Sequence, residues 1–224
     1  MRDRPLIAAV HNTTASIAPL RGALAHELPG AVLWNLMDDR LGADADDAGG
    51  LDPRLRNRML DLIRHGVNGG ADAVLIACSM YGEVRAIAEK LLTTPVFASD
   101  SDMISEIAAS APRRVAVLAS LQGSAADSTA RITAALADTS STSAEVLPVF
   151  CRGAADAAER ADISALVEAF ATELDHTGGE FDLVCIAQYS LSPAAAALAD
   201  KIGVPVISPP RSAARAIAHR LTQS

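Results

Sequence analysis

The stretch Asp72-Ala-Val-Leu-Ile-Ala-Cys78-Ser-Met-Tyr-Gly82 decides how the chain is read. An apolar run, too short for a helix, ends at a cysteine. Small and polar residues follow, and then a helical pattern begins. Such a run bounded by turn residues predicts a buried strand with Cys78 at its carboxyl end. A second copy, Asp182-Leu-Val-Cys-Ile-Ala-Gln188-Tyr-Ser-Leu-Ser192, starts 110 positions later. One copy keeps a thiol, and the other carries an amide in its place.

The same alternation extends in both directions. Strands are predicted at 5–10, 31–36, 73–77 and 94–98, with helices at 16–28, 53–68, 82–92 and 100–111. Asp52-Pro53 opens the third-strand helix as N-cap and first position. Leu55, Met59, Leu62, Ile63 and Val67 give that helix one apolar face. The Asp-, Gly- and Ala-rich residues 40–53 read as a loop. A second series follows, with strands at 114–120, 144–150, 182–187 and 205–208. Its loop at 121–124 precedes a helix at 125–137. A long helix lies within 155–176, and two more span 192–202 and 210–221. Strands apolar on both faces, alternating with helices of 10–15 residues, predict parallel sheets covered by helices.

The two series match. At an offset of 110, Asp72 falls on Asp182, Ile76-Ala77 on Ile186-Ala187, Cys78 on Gln188 and Pro95-Val96 on Pro205-Val206. The same offset sets His11-Asn-Thr-Thr14 opposite Leu121-Gln-Gly-Ser124. The expected fold is therefore α/β with two pseudo-symmetric Rossmann-like lobes, each carrying a four-stranded parallel sheet. Residues 1–98 with 209–224 make the first lobe, and 99–208 the second. Ligands of such sheets sit at the carboxyl ends of the strands, where Cys78 and Gln188 both fall.

Cys78 is the candidate catalytic residue. Between a strand end and a helix start, backbone N–H groups and the helix dipole lower a thiol pKa, and the same groups hold a carboxylate. A thiolate beside a carboxylate clamp suits proton abstraction next to a carboxyl group. A buried structural cysteine is the competing reading. Cys185 sits mid-strand and reads as core. Cys151, at a strand end, reads as structural. Candidate substrate-binding residues are His11, Asn12, Thr13 and Thr14 in the first half. Ser79 follows the thiol, and Ser120, Gln122, Ser124, Gln188, Tyr189 and Ser190 lie in the second half. Their hydroxyls, amides and backbone suit carboxylate oxygens. For His11 a satisfied structural histidine is an equal alternative, and turn and N-cap chemistry also explains the others.

Composition narrows the classes further. Net charge is −8, and nucleic acid requires a basic footprint, so no nucleic-acid partner is expected. The acidic residues Asp38-Asp39 and Asp44 to Asp47 lack the spacing of a calcium loop, so no metal is expected. There is no Gly-x-Gly-x-x-Gly, phosphate loop or Gly-x-Ser-x-Gly, so neither a nucleotide cofactor nor a serine hydrolase is indicated. Three cysteines without metal spacing suit a reducing compartment. The short apolar start gives no signal peptide and no span. A cytoplasmic protein without a membrane partner is expected, and a homo-oligomer would be common for its class.

These residues resemble the aspartate/glutamate racemase superfamily, which includes hydantoin racemases, maleate isomerases and arylmalonate decarboxylases. The twin halves, Cys78 after the third strand and its counterpart at 188 carry the likeness. His11-Asn-Thr-Thr14 is similar to the Asn-Pro-Asn-Thr/Ser opening of the hydantoin racemase branch. The resemblance implies a cofactor-independent enzyme acting on a small carboxylate, with its site in the cleft between the lobes. Two cysteines facing each other across the α-carbon are implied by the family pattern. Here Gln188 stands where the second belongs, and an amide is neither acid nor base near neutrality. Cys185, three residues earlier on a strand, is about 10 Å away along it and points to the other face. The resemblance thus implies a one-thiol racemase or isomerase. A one-cysteine decarboxylase is the alternative. Arylmalonate decarboxylases keep the cysteine of the second half, so here the product would have the opposite hand. A binding protein that has lost its chemistry is the third reading.

Overall fold

The computed structural model describes residues 4–139 and 144–223. Met1 to Asp3 of the N-terminal segment lie outside them. The chain divides into two compact units, Met1–Asp102 with Pro210–Ser224, and Met103–Pro209.

Unit 1 begins with β1 (Leu6–His11), a single 3-10 turn at Thr14–Ser16 and α1 (Ile17–Glu27). There follow β2 (Val32–Met37), α2 (Leu41–Asp47), α3 (Pro53–Asn68) and β3 (Ala73–Ile76). A second 3-10 turn, Ser79–Tyr81, leads into α4 (Val84–Leu91) and β4 (Val96–Ala98), and α5 (Ser99–Ser110) closes the series. The sheet is wholly parallel, in the order β2-β1-β3-β4. Unit 2 runs β5 (Arg114–Ala119), α6 (Gln122–Thr139), β6 (Glu145–Phe150), α7 (Ala154–Glu159), α8 (Ile163–Thr177) and β7 (Leu183–Ile186). It continues through a 3-10 segment, Tyr189–Ala194, then α9 (Ala195–Ile202) and β8 (Val206–Ile207). Its order, β6-β5-β7-β8, repeats the first. The last helix, α10 (Pro209–Thr222), belongs almost wholly to unit 1, where Arg211 Nε donates to Glu27 Oε1 at 3.0 Å.

The doubled architecture reaches individual hydrogen bonds. The Leu6 N–H donates to the Asp72 carboxylate at 2.7 Å, and the Asp72 N–H returns to Leu6 O. The Arg113 and Arg114 N–H groups donate to Asp182 Oδ2 at 2.8 and 2.9 Å, and the Asp182 N–H returns to Arg114 O. The repeated aspartates thus clip each third strand to each first strand, at the sheet ends remote from Cys78 and Gln188. The two backbone donors hold the Asp182 carboxyl below its usual range. Likewise Val74 N–H and Val184 N–H donate to the carbonyls of Pro95 and Pro205.

Four sequence expectations change. The first strands are offset by 108, since Ile7 pairs with Ala73 as Val115 pairs with Leu183. Asn12 therefore corresponds to Ser120, and His11 to Ala119 rather than Leu121. Residues 41–47 form α2 instead of loop, because Leu41 and Ala45 bury a face while Asp44 pairs with arginines. Gln122, Gly123 and Ser124 are the first turn of α6, not a loop before it. The helix expected within 155–176 is two: Ala161 takes a positive φ of 53°, and Asp162 caps α8 by accepting from Ala165 N–H.

Unit boundaries fall inside α5 and at the start of α10. Asp102 pairs with Arg85 of unit 1 at 3.2 Å, whereas Met103 and Ile107 pack with Val115 and Val117 of unit 2. The period-two pattern of β5 and β7 divides the unit 2 core. Ala116, Leu118, Val184 and Ile186 share one face, and Val115, Val117, Leu183 and Cys185 the other. Pro148 lies on β6, an edge strand, where its missing N–H costs least.

Helix α3 covers the unit 1 sheet closely. Asp52 caps it, accepting from Leu55 N–H at 2.7 Å. Leu55, Met59, Leu60, Ile63 and Gly66 are buried. Among the described residues no helix is long and apolar enough to cross a membrane.

Candidate functional site

In unit 1 the carboxyl ends of β1, β3 and β4 bring together residues 11–14, residues 78–79 and Asp100. Cys78 is buried, 6% exposed, and belongs to the hydrophobic core cluster of its unit. Burial pushes its thiol up to about 11. The N–H groups of Tyr81 and Met80 oppose that shift, and the negative charge of Asp100 adds to it. This reverses the depressed pKa expected from the sequence. The element after Cys78 is a three-residue 3-10 turn, and α4 starts only at Val84. Two backbone N–H groups without an aligned helix do not offset the cost of charging a thiol in the core.

The turn is anchored from behind. Tyr81 is fully buried and its hydroxyl donates to Leu41 O of α2 at 2.9 Å. Arg58 of α3 holds α2 in turn: its Nε donates to Asp38 Oδ2 at 2.6 Å, and a further guanidinium nitrogen donates to Asp44. Arg40 Nη2 reaches Asp44 at 2.8 Å. The two arginines hold the Asp44 carboxyl below its ordinary value, Arg40 foremost. The acidic stretch is thus an ion-pair frame behind the cysteine turn. From the sequence, Asp38 and Asp44 read as an acidic stretch without metal spacing and their pairing to Arg58 carried no signal, while Tyr81 lay within the quoted motif without a role. Tyr81→Phe is expected to leave Leu41 O without its buried donor, at a cost of about 1–2 kcal/mol. Urea unfolding would measure it, with α-proton exchange as a second readout.

His11 is fully buried. Its Nδ1 lies 2.6 Å from Ser16 Oγ and its Nε2 3.1 Å from Asn35 Oδ1. Burial lowers its pKa, only partly opposed by Asn35, and the Ser16 hydroxyl beside Nδ1 donates to Thr13 O at 2.8 Å. Both ring nitrogens thus tie β1 to the first turn and to β2. Asn12 is half-buried, while Thr13 and Thr14 are exposed. Thr13 Oγ1 accepts from Ala15 N–H at 3.3 Å. Ser79 is exposed beside the thiol.

In unit 2 the ends of β5 and β7 join Ser120 to Gln188. Gln188 Oε1 accepts from Ser120 N–H at 2.7 Å and from Ser120 Oγ at 3.0 Å. Tyr189 and Ser190 follow, half-buried, and Ser192 Oγ donates to Tyr189 O. Gln122 is exposed and Ser124 half-buried in the first turn of α6. Cys151 is buried at the end of β6, and its thiol is pushed up to about 12, burial being the main cause. Cys185 is fully buried, with its sulfur 3.5 Å from Met103 Sδ. All three cysteines are buried; Cys78 keeps 6% exposure and has exposed Ser79 beside it.

The sequence profile of the Asp/Glu/Hydantoin racemase family matches residues 12–217. No curated protein sequence matches. Among solved structures, arylmalonate decarboxylase is similar at 20% identity, covering 97% of this chain and 92% of that one with a TM-score of 0.66. Glutamate racemase from Francisella tularensis, in complex with D-glutamate, is 14% identical over 100% of this chain and 82% of that one, TM-score 0.69. Allantoin racemase from Klebsiella pneumoniae is 18% identical over 98% and 88%, TM-score 0.67.

Proposed function

The chain belongs to the Asp/Glu/Hydantoin racemase family, and on that premise we propose a cofactor-independent enzyme that works on a small acid. It acts at the carbon next to the carboxylate or carbonyl, in racemase or isomerase fashion, with Cys78 as its single acid/base. The observation that carries the reading is Cys78 itself. Its thiol ends a central strand of unit 1, receives the N–H groups of Met80 and Tyr81, and is braced through Tyr81 and Leu41 by the Arg58 ion pairs. As a base, the thiolate takes the α-proton, and the resulting carbanion is reprotonated by the same thiol or by solvent.

A decarboxylase is the second reading, and the high thiol pKa favours it. A group with a pKa near 11 is protonated at neutrality, which suits delivery of a proton to the carbanion left when carbon dioxide departs. Similarity to both racemases and arylmalonate decarboxylase accommodates either chemistry.

Incubating the protein in heavy water with malonates, hydantoins, amino acids and dicarboxylates tests both. Deuterium at the α-carbon of recovered substrate supports the racemase reading, and release of carbon dioxide with a deuterated product supports the second. No exchange and no turnover across the panel would sink the enzyme reading.

A further inference from the structure

The amide of Gln188 has two faces, a carbonyl that accepts and an NH₂ that donates. In this fold only one of them is left over. The backbone N–H of Ser120 can only donate, so the Gln188 atom 2.7 Å from it is the oxygen. The Ser120 hydroxyl donates to the same oxygen at 3.0 Å. With both acceptor sites occupied and the amide plane fixed, rotation would set NH₂ against a backbone N–H and lose both bonds. The two Nε2 hydrogens therefore keep a fixed direction. Nε2 makes no hydrogen bond among the described residues and is not among their buried unsatisfied atoms. Gln188 sits at the carboxyl end of β7, next to the central strand β5.

We infer that Gln188 is a specificity-determining donor, locked by Ser120 so that unit 2 reads a carboxylate or carbonyl oxygen of the ligand and rejects an ammonium or hydroxyl donor there. This rests on the proposed small-acid reading and sharpens it. At this position the preferred substrate presents an oxygen acceptor, so malonate-like and maleate-like dicarboxylates outrank substrates that would point an amine at it. Because an amide does not titrate, this half of recognition is independent of pH across the neutral range. By the 108 offset Ser120 is the counterpart of Asn12, the first residue past each leading strand.

Gln188→Glu isolates the donor. The substituted carboxylate has the same shape and still accepts both Ser120 donors with one oxygen, so the loop is retained. Its second oxygen now offers lone pairs and charge where Nε2–H stood. Gln188→Met, which removes both faces, gives a second comparison at similar volume. Binding of malonate, maleate, aspartate and hydantoin to the otherwise intact chain is measured by calorimetry, with melting temperature as the check on folding. At least one of the two dicarboxylates is expected to bind the wild type, and to bind Gln188→Glu at least tenfold and Gln188→Met several-fold more weakly. Undiminished dicarboxylate binding by folded Gln188→Glu overturns the inference, as does failure of both dicarboxylates to bind the wild type. The chemistry is read separately, by deuterium exchange in wild type and Cys78→Ser. Exchange that survives Cys78→Ser sinks the thiol reading while leaving the Gln188 result standing.

Discussion

Deuterium exchange at the substrate α-carbon is expected to rise about tenfold per pH unit from neutrality and to level off near pH 11. In Cys78→Ser it should fall by about 10²–10⁴-fold. The slope follows from the protonation state of the thiol. With a pKa of about 11, only about one Cys78 in 10⁴ is thiolate at pH 7. Only that form can remove a proton, so kcat/KM tracks its fraction and is lost as pH falls. The decarboxylase reading makes the opposite demand. Its working form is the thiol, so its rate should stay flat through neutrality and decline only as pH passes about 11. One pH–rate profile of kcat/KM, which reports the free enzyme's acid or base, thus separates the two readings. A profile that ignores Cys78→Ser altogether removes this residue from the mechanism.

Gly66→Val should be the most damaging single change at the back of the unit 1 sheet, with no residue of the candidate site altered. A Cβ built on Gly66 would lie 2.8 Å from the Ala8 Cβ and 3.5 Å from Val74 Cγ2. Ala8 and Val74 are on β1 and β3, the two central strands, and both are fully buried. The new side chain has nowhere to go, so α3 must lift from the sheet. Overpacking of this kind costs about 1–3 kcal/mol, and valine, with two further methyls, belongs at the top of that range. Urea unfolding at neutral pH measures it. The same displacement moves Arg58, which α3 carries to Asp38 and Asp44, so exchange at Cys78 should fall along with stability. A midpoint equal to wild type would show that helix and sheet have slack there.

The alternation of strands and helices was legible because its signals are local. Asp52-Pro53 caps α3 wherever that helix packs. The runs 73–77 and 182–187 are apolar on both faces because both faces are covered. What escaped depended on partners far away in sequence. The acidic residues 38–47 look like solvated loop until Arg58 arrives from α3 to pair with them. The Ala161 break, which ends α7 and lets Asp162 start α8, is a left-handed residue without glycine to announce it. The two-residue slip between the first strands is invisible to an alignment at constant offset, because their pairing, not their composition, sets the register.

By itself the sequence determined the class of the fold and the doubling of the halves, and it offered Cys78 as the candidate thiol. Hydrophobic period, helix caps and the repeated Asp-apolar-Cys/Gln segment are properties of neighbours along the chain. Tertiary structure alone decided the electrostatic state of that residue and the polarity of its counterpart. Cys78 is a high-pKa thiol because the folded core desolvates it more than two backbone N–H groups can offset. Gln188 is a donor because Ser120, 68 residues away in sequence, occupies its oxygen. Solvation and hydrogen-bond partnership are set by what packs against a group in space, and no local pattern encodes them.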